Sequence, residues 1–362
     1  MIKFKGYIYA FFILSLCNSF TYEEKTYKFA DVFKKDKEVH ILTHGLNVWR
    51  LGELKVDLDK NIIFLDPKGC QILVFDQKGN FLCTIGRKGE GPGEFKFPIS
   101  IEVDNKNNIF VSDLPLKRIS KFSLDKGFIN SFIISSTQNQ AWGIKINSNG
   151  FIFLKGFIRK DYNHPEFGMW INKYNLEGRY ITSFFPSNKY NKNWVQRIAP
   201  FCSFDIDGED IIYAVQHCDY RISKYNSEGK LLTEFGKAPS YFRHPNIRKK
   251  IDFTRFSAQS EIINELKILS ASWTKLIDII VLKDEFLLLI LEMNNLIKGF
   301  DKKYVIDIWD KKGNFIAGGI QTDYRLLCRD SDDFLYFLIL KEEENLEKEP
   351  KYRIGKYTLL LN

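Results

Sequence analysis

Long hydrophobic runs are what this 362-residue sequence most lacks. Its longest uncharged apolar stretch, Tyr7–Leu16, is about half of the roughly 20 residues a membrane-spanning helix needs, so no spanning segment is expected. Charge of one sign is also missing. Fifty-three basic against 45 acidic residues leave a net charge of +8, spread along the chain and not gathered into an arm, which argues against a nucleic-acid partner. Cysteine is sparse at six, with no metal-knuckle spacing among Cys70, Cys83, Cys202, Cys218 and Cys328. A Cys202–Cys218 disulfide would suit an oxidising compartment, but small buried apolar side chains in strands are the simpler reading. Nucleophile-elbow and phosphate-loop chemistry are absent too: Gly89-Glu90-Gly91-Pro92-Gly93 has the glycines without the following Lys-Ser/Thr.

What the chain does have is aromatic and apolar bulk, 15% and 44%, enough for a large packed core. The N-terminus reads as an export signal over residues 1–19. Lys3 and Lys5 precede the apolar run, and Asn18 and Ser19 follow it. Leu14-Ser15-Leu16-Cys17 has the outline of a lipoprotein box with Cys17 as the lipidated residue, although Leu16 is bulkier than that pattern usually carries. Residues 20–37 then read as a linker. Export places the mature protein outside the cytoplasm, whether periplasmic, envelope-anchored or secreted, with a lipid anchor as its one route to the membrane.

One sequence pattern recurs five times: an apolar strand ending in an aromatic residue, a polar turn closing on glycine, and a second apolar strand. The turn glycines are Gly79, Gly127, Gly178, Gly229 and Gly313, and the strand-end aromatics are Phe75, Phe122, Tyr174, Tyr225 and Trp309. Alternating polarity gives half-buried strands, and glycine supplies the positive φ of a short turn. About 20 residues upstream of each copy lies another hairpin with Asp, Asn or Gly in its turn, as in Val56–Leu65 and Ile101–Val111. There are six of these against five of the others. Two hairpins per repeat make a four-stranded meander, and radial repetition of such sheets gives a propeller. The fold expected is therefore all-β: a six-bladed β-propeller of four-stranded antiparallel blades over residues 38–362. The missing hairpin leaves a gap in the last blade, which the apolar stretch Val39–Leu42 would fill. An insertion at residues 237–276, between blades four and five, has Ile262, Ile263, Leu266 and Leu269 at helical spacing, so a helix is expected over Ala258–Ser270.

The stretch Ile85-Gly86-Arg87-Lys88-Gly89-Glu90-Gly91-Pro92-Gly93-Glu94-Phe95, with Pro98, Asp104, Asp113 and Arg118 after it, resembles the NHL repeat. It is most similar to that repeat in exported six-bladed propellers of bacterial cell envelopes. The match is close in blades one and two and weaker later, where the Gly-Pro-Gly-Glu-Phe loop is lost. The resemblance implies a fold and an extracytoplasmic setting, and no reaction. Amidating lyases related to this repeat hold zinc on histidines, but His40, His44, His164, His217 and His244 do not recur with the blades. Asp205, Asp207, Glu209 and Asp210, like Asp330, Asp332 and Asp333, are read as turn residues and not as calcium ligands.

No metal or cofactor is therefore expected. In a meander, successive connections alternate between the two faces of the disc, and every long connection falls on one of them. That face is the expected binding surface, with Phe157, Tyr162, Trp194, Tyr241, Phe242, Arg243, Arg248, Lys249 and Lys250 as candidate contacts for a protein or glycan partner. A non-catalytic binding module is the reading. The alternative is a metal-dependent hydrolase or lyase at the channel mouth, which would need carboxylates, Asn or His from three blades to converge.

Overall fold

The computed structural model describes residues 27–41, 46, 48, 51–134, 141–156, 168–186, 202–244, 273–283, 285–293, 302–341 and 352–361. They form 24 strands and one helical turn, α1 (Phe29–Val32). Strand β1 (Phe33–Ile41) leads into blade one, β2 (Leu54–Val56), β3 (Ile62–Asp66), β4 (Gln71–Phe75) and β5 (Phe81–Ile85). Blade two is β6 (Pro98–Val103), β7 (Asn108–Asp113), β8 (Arg118–Ser123) and β9 (Gly127–Ile133). Blade three is β10 (Gly143–Ile146), β11 (Ile152–Lys155), β12 (Met169–Tyr174) and β13 (Tyr180–Pro186). Blade four is β14 (Cys202–Ile206), β15 (Ile212–Gln216), β16 (Asp219–Tyr225) and β17 (Leu231–Phe235). Blade five is β18 (Lys275–Val281), β19 (Phe286–Glu292), β20 (Tyr304–Asp310) and β21 (Phe315–Thr322). In blade six, β22 (Arg325–Arg329), β23 (Leu335–Lys341) and β24 (Tyr352–Leu359) are completed by β1.

All six blades are antiparallel meanders, and the chain closes its ring as expected, with β1 on the outer edge of blade six. The closing strand is longer than the sequence indicates. Its register runs from Phe33↔Leu359 to Ile41↔Tyr352, so residues 33–37 belong to the propeller and not to a linker. The polar run Lys34-Lys35-Asp36-Lys37 hides this strand from a hydropathy reading, because an outermost strand turns one face to solvent. At the insertion, β18 already starts at Lys275. The expected helix over Ala258–Ser270 lies outside the described residues, as do the export signal and Cys17.

The core is a ring of interfaces. Each of six buried clusters joins one blade to the next, for example Leu73, Phe75, Tyr336 and Tyr352 between blades one and six. The strand-end aromatics Phe75, Phe122, Tyr174, Tyr225 and Trp309 are all buried there. Several meet an aromatic across the following turn edge to face, as in Phe75–Phe81, Tyr174–Tyr180 and Trp309–Phe315. The turn glycines answer the same packing. Gly79 has φ +91°, and a Cβ there would lie 2.0 Å from the carbonyl oxygen of His40 on the closing strand.

Carboxylates and amides in the turns stitch the blades together. Asp57, Asp104, Asn147, Asp207 and Asp330 each accept the backbone N–H four residues on, at 2.7–3.1 Å. The left-handed residues Asn107 and Asp210 cap the preceding blade instead, accepting from Leu58 N and Ser148 N at 2.9 Å. The Gly-Pro-Gly-Glu-Phe loop is likewise structural. Glu94 accepts from Gly91 N and Arg87 Nε, while Phe95 is buried between blades one and two. Cys70, Cys202, Cys218 and Cys328 are free and buried, so Cys202 and Cys218 serve as apolar packing.

Candidate functional site

The first strand of every blade, β2, β6, β10, β14, β18 and β22, lines a central cavity of about 490 Å³. Two residues before each first-hairpin turn stand Lys55, Glu102, Lys145, Asp205, Ile280 and Cys328, a ring of four alternating charges closed by two apolar side chains. These charges neutralise one another. Lys55 Nζ lies 2.9 Å from Glu102 Oε2, and Lys145 Nζ lies 3.6 Å from the same oxygen and 2.7 Å from Asp205 Oδ1. Asp205 Oδ2 accepts Val281 N at 3.0 Å, so the ring also bonds blade four to blade five. Burial opposes Asp205's charge, but Lys145 and Arg329 outweigh it and hold the carboxyl below its ordinary range. Asp205 is thus a channel residue, in contrast to the turn role the sequence suggests, while Asp207 and Asp210 do cap turns.

Two residues further back, toward the long-loop face, the channel is lined by Glu53, Ser100, Gly143, Ser203, Asp278 and Leu326. Glu53 Oε2 accepts from Ser100 Oγ at 2.8 Å and Ile101 N at 2.9 Å. Among the described residues Asp278 accepts its neighbour's amide, Ile279 N, at 2.9 Å, and burial raises its pKa. Ser203 Oγ stands 3.3 Å from His217 Nε2, which gives the outline of a nucleophile with its base. The Ile277 carbonyl, 2.9 Å from the same hydroxyl, competes with His217 for the serine's single proton. Burial, with Lys155 and Lys275 nearby, pushes the histidine down to about 3.

A neutral histidine of this kind makes the fold sensitive to acid. The unfolded chain binds a proton at His217 below about pH 6.5 and the folded one only near pH 3. Stability from this site is therefore complete above pH 6.5 and lost as pH falls toward 3. Chemical denaturation of His217→Gln against the unaltered protein should show the variant gaining about 2 kcal/mol relative to it between pH 7 and 4.5. Parallel pH profiles would refute the assignment.

The candidate contacts fare unevenly. Phe157, Tyr162, Trp194, Arg248, Lys249 and Lys250 lie outside the described residues. Tyr241 and Phe242 are not surface residues: they are 7% and 5% exposed in the core between blades four and five. Tyr241 and Tyr220 both donate to the fully buried Asp307, and Gly319 N donates to its Oδ1 at 2.9 Å. A carboxylate on a distant strand gave no local sign that Tyr241 would turn inward. Arg243 is exposed, and its backbone N–H meets Thr274 Oγ1 at 3.1 Å. The sequence reading missed the channel residues, whose one local signal is charge at a fixed place in otherwise apolar inner strands. Among the described residues, no three His, Cys, Asp or Glu side chains are grouped to hold a metal ion.

Comparison with known proteins places this architecture. A crystal structure of a candidate exported protein from Bacteroides fragilis NCTC 9343 superposes with a TM-score of 0.62 at 12% identity, covering 93% of this chain and 98% of that one. A DUF4221 family member from Bacteroides vulgatus ATCC 8482 gives 0.61 at 12% identity, over 91% and 98% of the two chains. A catalytically inactive virginiamycin B lyase from Staphylococcus aureus gives 0.49 at 13% identity, over 87% and 83%. No curated protein matches the sequence. The family model described as a 6-bladed β-propeller matches residues 45–287, which is most of the ring. With six four-stranded blades around one channel and that match, the chain belongs to the DUF5128 family of 6-bladed β-propellers.

Proposed function

We propose that this protein is an exported, non-catalytic propeller that binds a protein or glycan partner through its long-loop face. The observation that carries the reading is the asymmetry of the two faces. Strand pairing puts the turns Asp57–Asn61, Asp104–Asn108, Asn147–Phe151 and Asp207–Ile211 on one face, closed and hydrogen-bonded. The strand ends joined by long stretches of sequence, Lys155 and Met169, Pro186 and Cys202, Phe235 and Lys275, Glu292 and Tyr304, and Lys341 and Tyr352, all point to the opposite face. Variable length on one side of a fixed ring suits recognition. The Ser203–Ile277 hydrogen bond, which competes with His217 for the serine's proton, favours binding over covalent catalysis. An extracytoplasmic setting draws support from the export-type N-terminus and from the exported class of the Bacteroides fragilis relative. The NHL character of the repeat rests on the Gly-Pro-Gly-Glu-Phe loop.

The long excursion offers a clean test because its ends are adjacent. Thr274 N donates to Arg243 O at 3.0 Å, so residues 245–272 can be replaced by a short Gly linker without moving either strand. Tyr241, which anchors on Asp307, stays in place. The deletion variant should melt within a few degrees of the parent yet lose at least tenfold in retention of its partner, measured by crosslinking in envelope fractions and on a glycan array. Unchanged retention would sink the proposal.

A further inference from the structure

The channel mouth on the long-loop face holds charges without a close counter-charge among the described residues. Lys155 ends β11 opposite Gly143, and the missing side chain there lets the lysine cross into the cavity. A Cβ on Gly143 would lie 3.0 Å from Lys155 Cε. Its ammonium makes no hydrogen bond or ion pair among the described residues, unlike Lys55 and Lys145 deeper in the same channel. Arg325 opens β22 in blade six, across the ring from blade three, and also lines the cavity, without an ion pair among the described residues. Of the acids at this end, Glu53 is committed to two donors and Glu292 faces Lys275 at 3.9 Å. Asp278 remains, with one oxygen on its neighbour's amide and the other open to the cavity lining. His217 adds no charge there.

An unpaired cation in a partly desolvated channel is a cost that a bound anion removes. A carboxylate at Asp278 among these cations suits a monoanion better than a phosphate, whose second charge Asp278 would repel. Asp278 in turn suits hydroxyl donors. The volume of about 490 Å³ is in the range of small-ligand sites. We propose that the mouth binds a carboxylate-bearing sugar, its carboxylate on Lys155 and its hydroxyls on Asp278. This rests on reading the long-loop face as the binding face, and it names a glycan with uronate-type chemistry as the ligand.

The test is calorimetric titration of the full-length protein with D-glucuronate, D-glucose and inorganic phosphate. Saturable glucuronate binding is expected, weakened by salt, with D-glucose and phosphate each at least tenfold weaker. Lys155→Met should reduce glucuronate affinity at least tenfold with the melting temperature within a few degrees of the parent's, since it breaks no hydrogen bond or close ion pair among the described residues. Lys155→Arg should restore most of the binding, and Lys106→Met, on the opposite face, should change nothing. No saturable binding, phosphate preferred over glucuronate, or Lys155→Met binding like the parent would each overturn the assignment. If glucuronate fails to bind while deletion of 245–272 still abolishes partner retention, the uronate site falls and the binding-face reading stands.

Discussion

A chain that begins at residue 42 should fail to form a cooperatively melting monomer, whereas one that begins at residue 20 should fold like the parent. The difference is β1, which supplies the outer strand of blade six and pairs with β24 along its length. Removing it takes away the buried side chains of Val39 and Ile41, 3% and 0% exposed, together with Val32 and Phe33 at its start, and uncovers the core they pack against. Phe33 packs on Phe337 with ring centroids 5.6 Å apart, so its loss also opens the interface between blades five and six. Four buried side chains at about 1.5–3 kcal/mol each come to roughly 8 kcal/mol, comparable to the whole stability of a typical domain. β24 would be left as a long exposed edge, and an unpaired edge templates aggregation. Size-exclusion chromatography and thermal melts of the two truncated chains decide the matter, and a peptide of residues 27–41 added in trans should recover folded monomer. A chain beginning at 42 that melts within a few degrees of the longer one would show that closure does not depend on β1.

That closure was legible because a ring imposes the same demand six times. A turn needs glycine where φ is positive, and an aromatic must fill each interface, so Gly79, Gly178, Gly229 and Gly313 follow Phe75, Tyr174, Tyr225 and Trp309 by four residues, and Gly127 follows Phe122 by five. Repetition turns weak local signals into a count of blades. The channel has no such redundancy. Lys55, Glu102, Lys145, Asp205, Ile280 and Cys328 share a position and no chemistry, because each is chosen to suit a neighbour on another blade. Lys145 meets Asp205 across 60 residues and Tyr241 meets Asp307 across 66. Pairings of that span leave no periodicity, which is why Asp205 read as a turn residue and Tyr241 as a surface one.

The ring of channel charges predicts a large effect for one substitution. Lys145→Met should lower stability by about 3 kcal/mol at neutral pH, because it leaves Glu102 with Lys55 alone and strands Asp205 without its close counter-charge. The side chains of Glu102 and Asp205 are only 14% and 8% exposed, so water replaces the ammonium poorly. The pH dependence follows from the shifts. Asp205's pKa is lowered in the fold, so its contribution is present above the unfolded value near 4 and is lost as pH falls below it. Lys145's is raised by Asp205 and Glu102, so its contribution holds below about pH 10.5 and fades only in stronger alkali. In the variant both acids become easier to protonate. Its deficit should therefore be largest near pH 7 and shrink as pH falls to about 4. Combining Lys145→Met with Asp205→Asn keeps an acceptor for Val281 N while removing the stranded charge, and should recover at least half of the loss. Urea denaturation of the two single variants and the double variant at pH 7 and pH 4.5 gives the coupling directly. Additive losses, or a deficit that grows toward acid, would mean that the ring lines the channel without holding the blades together.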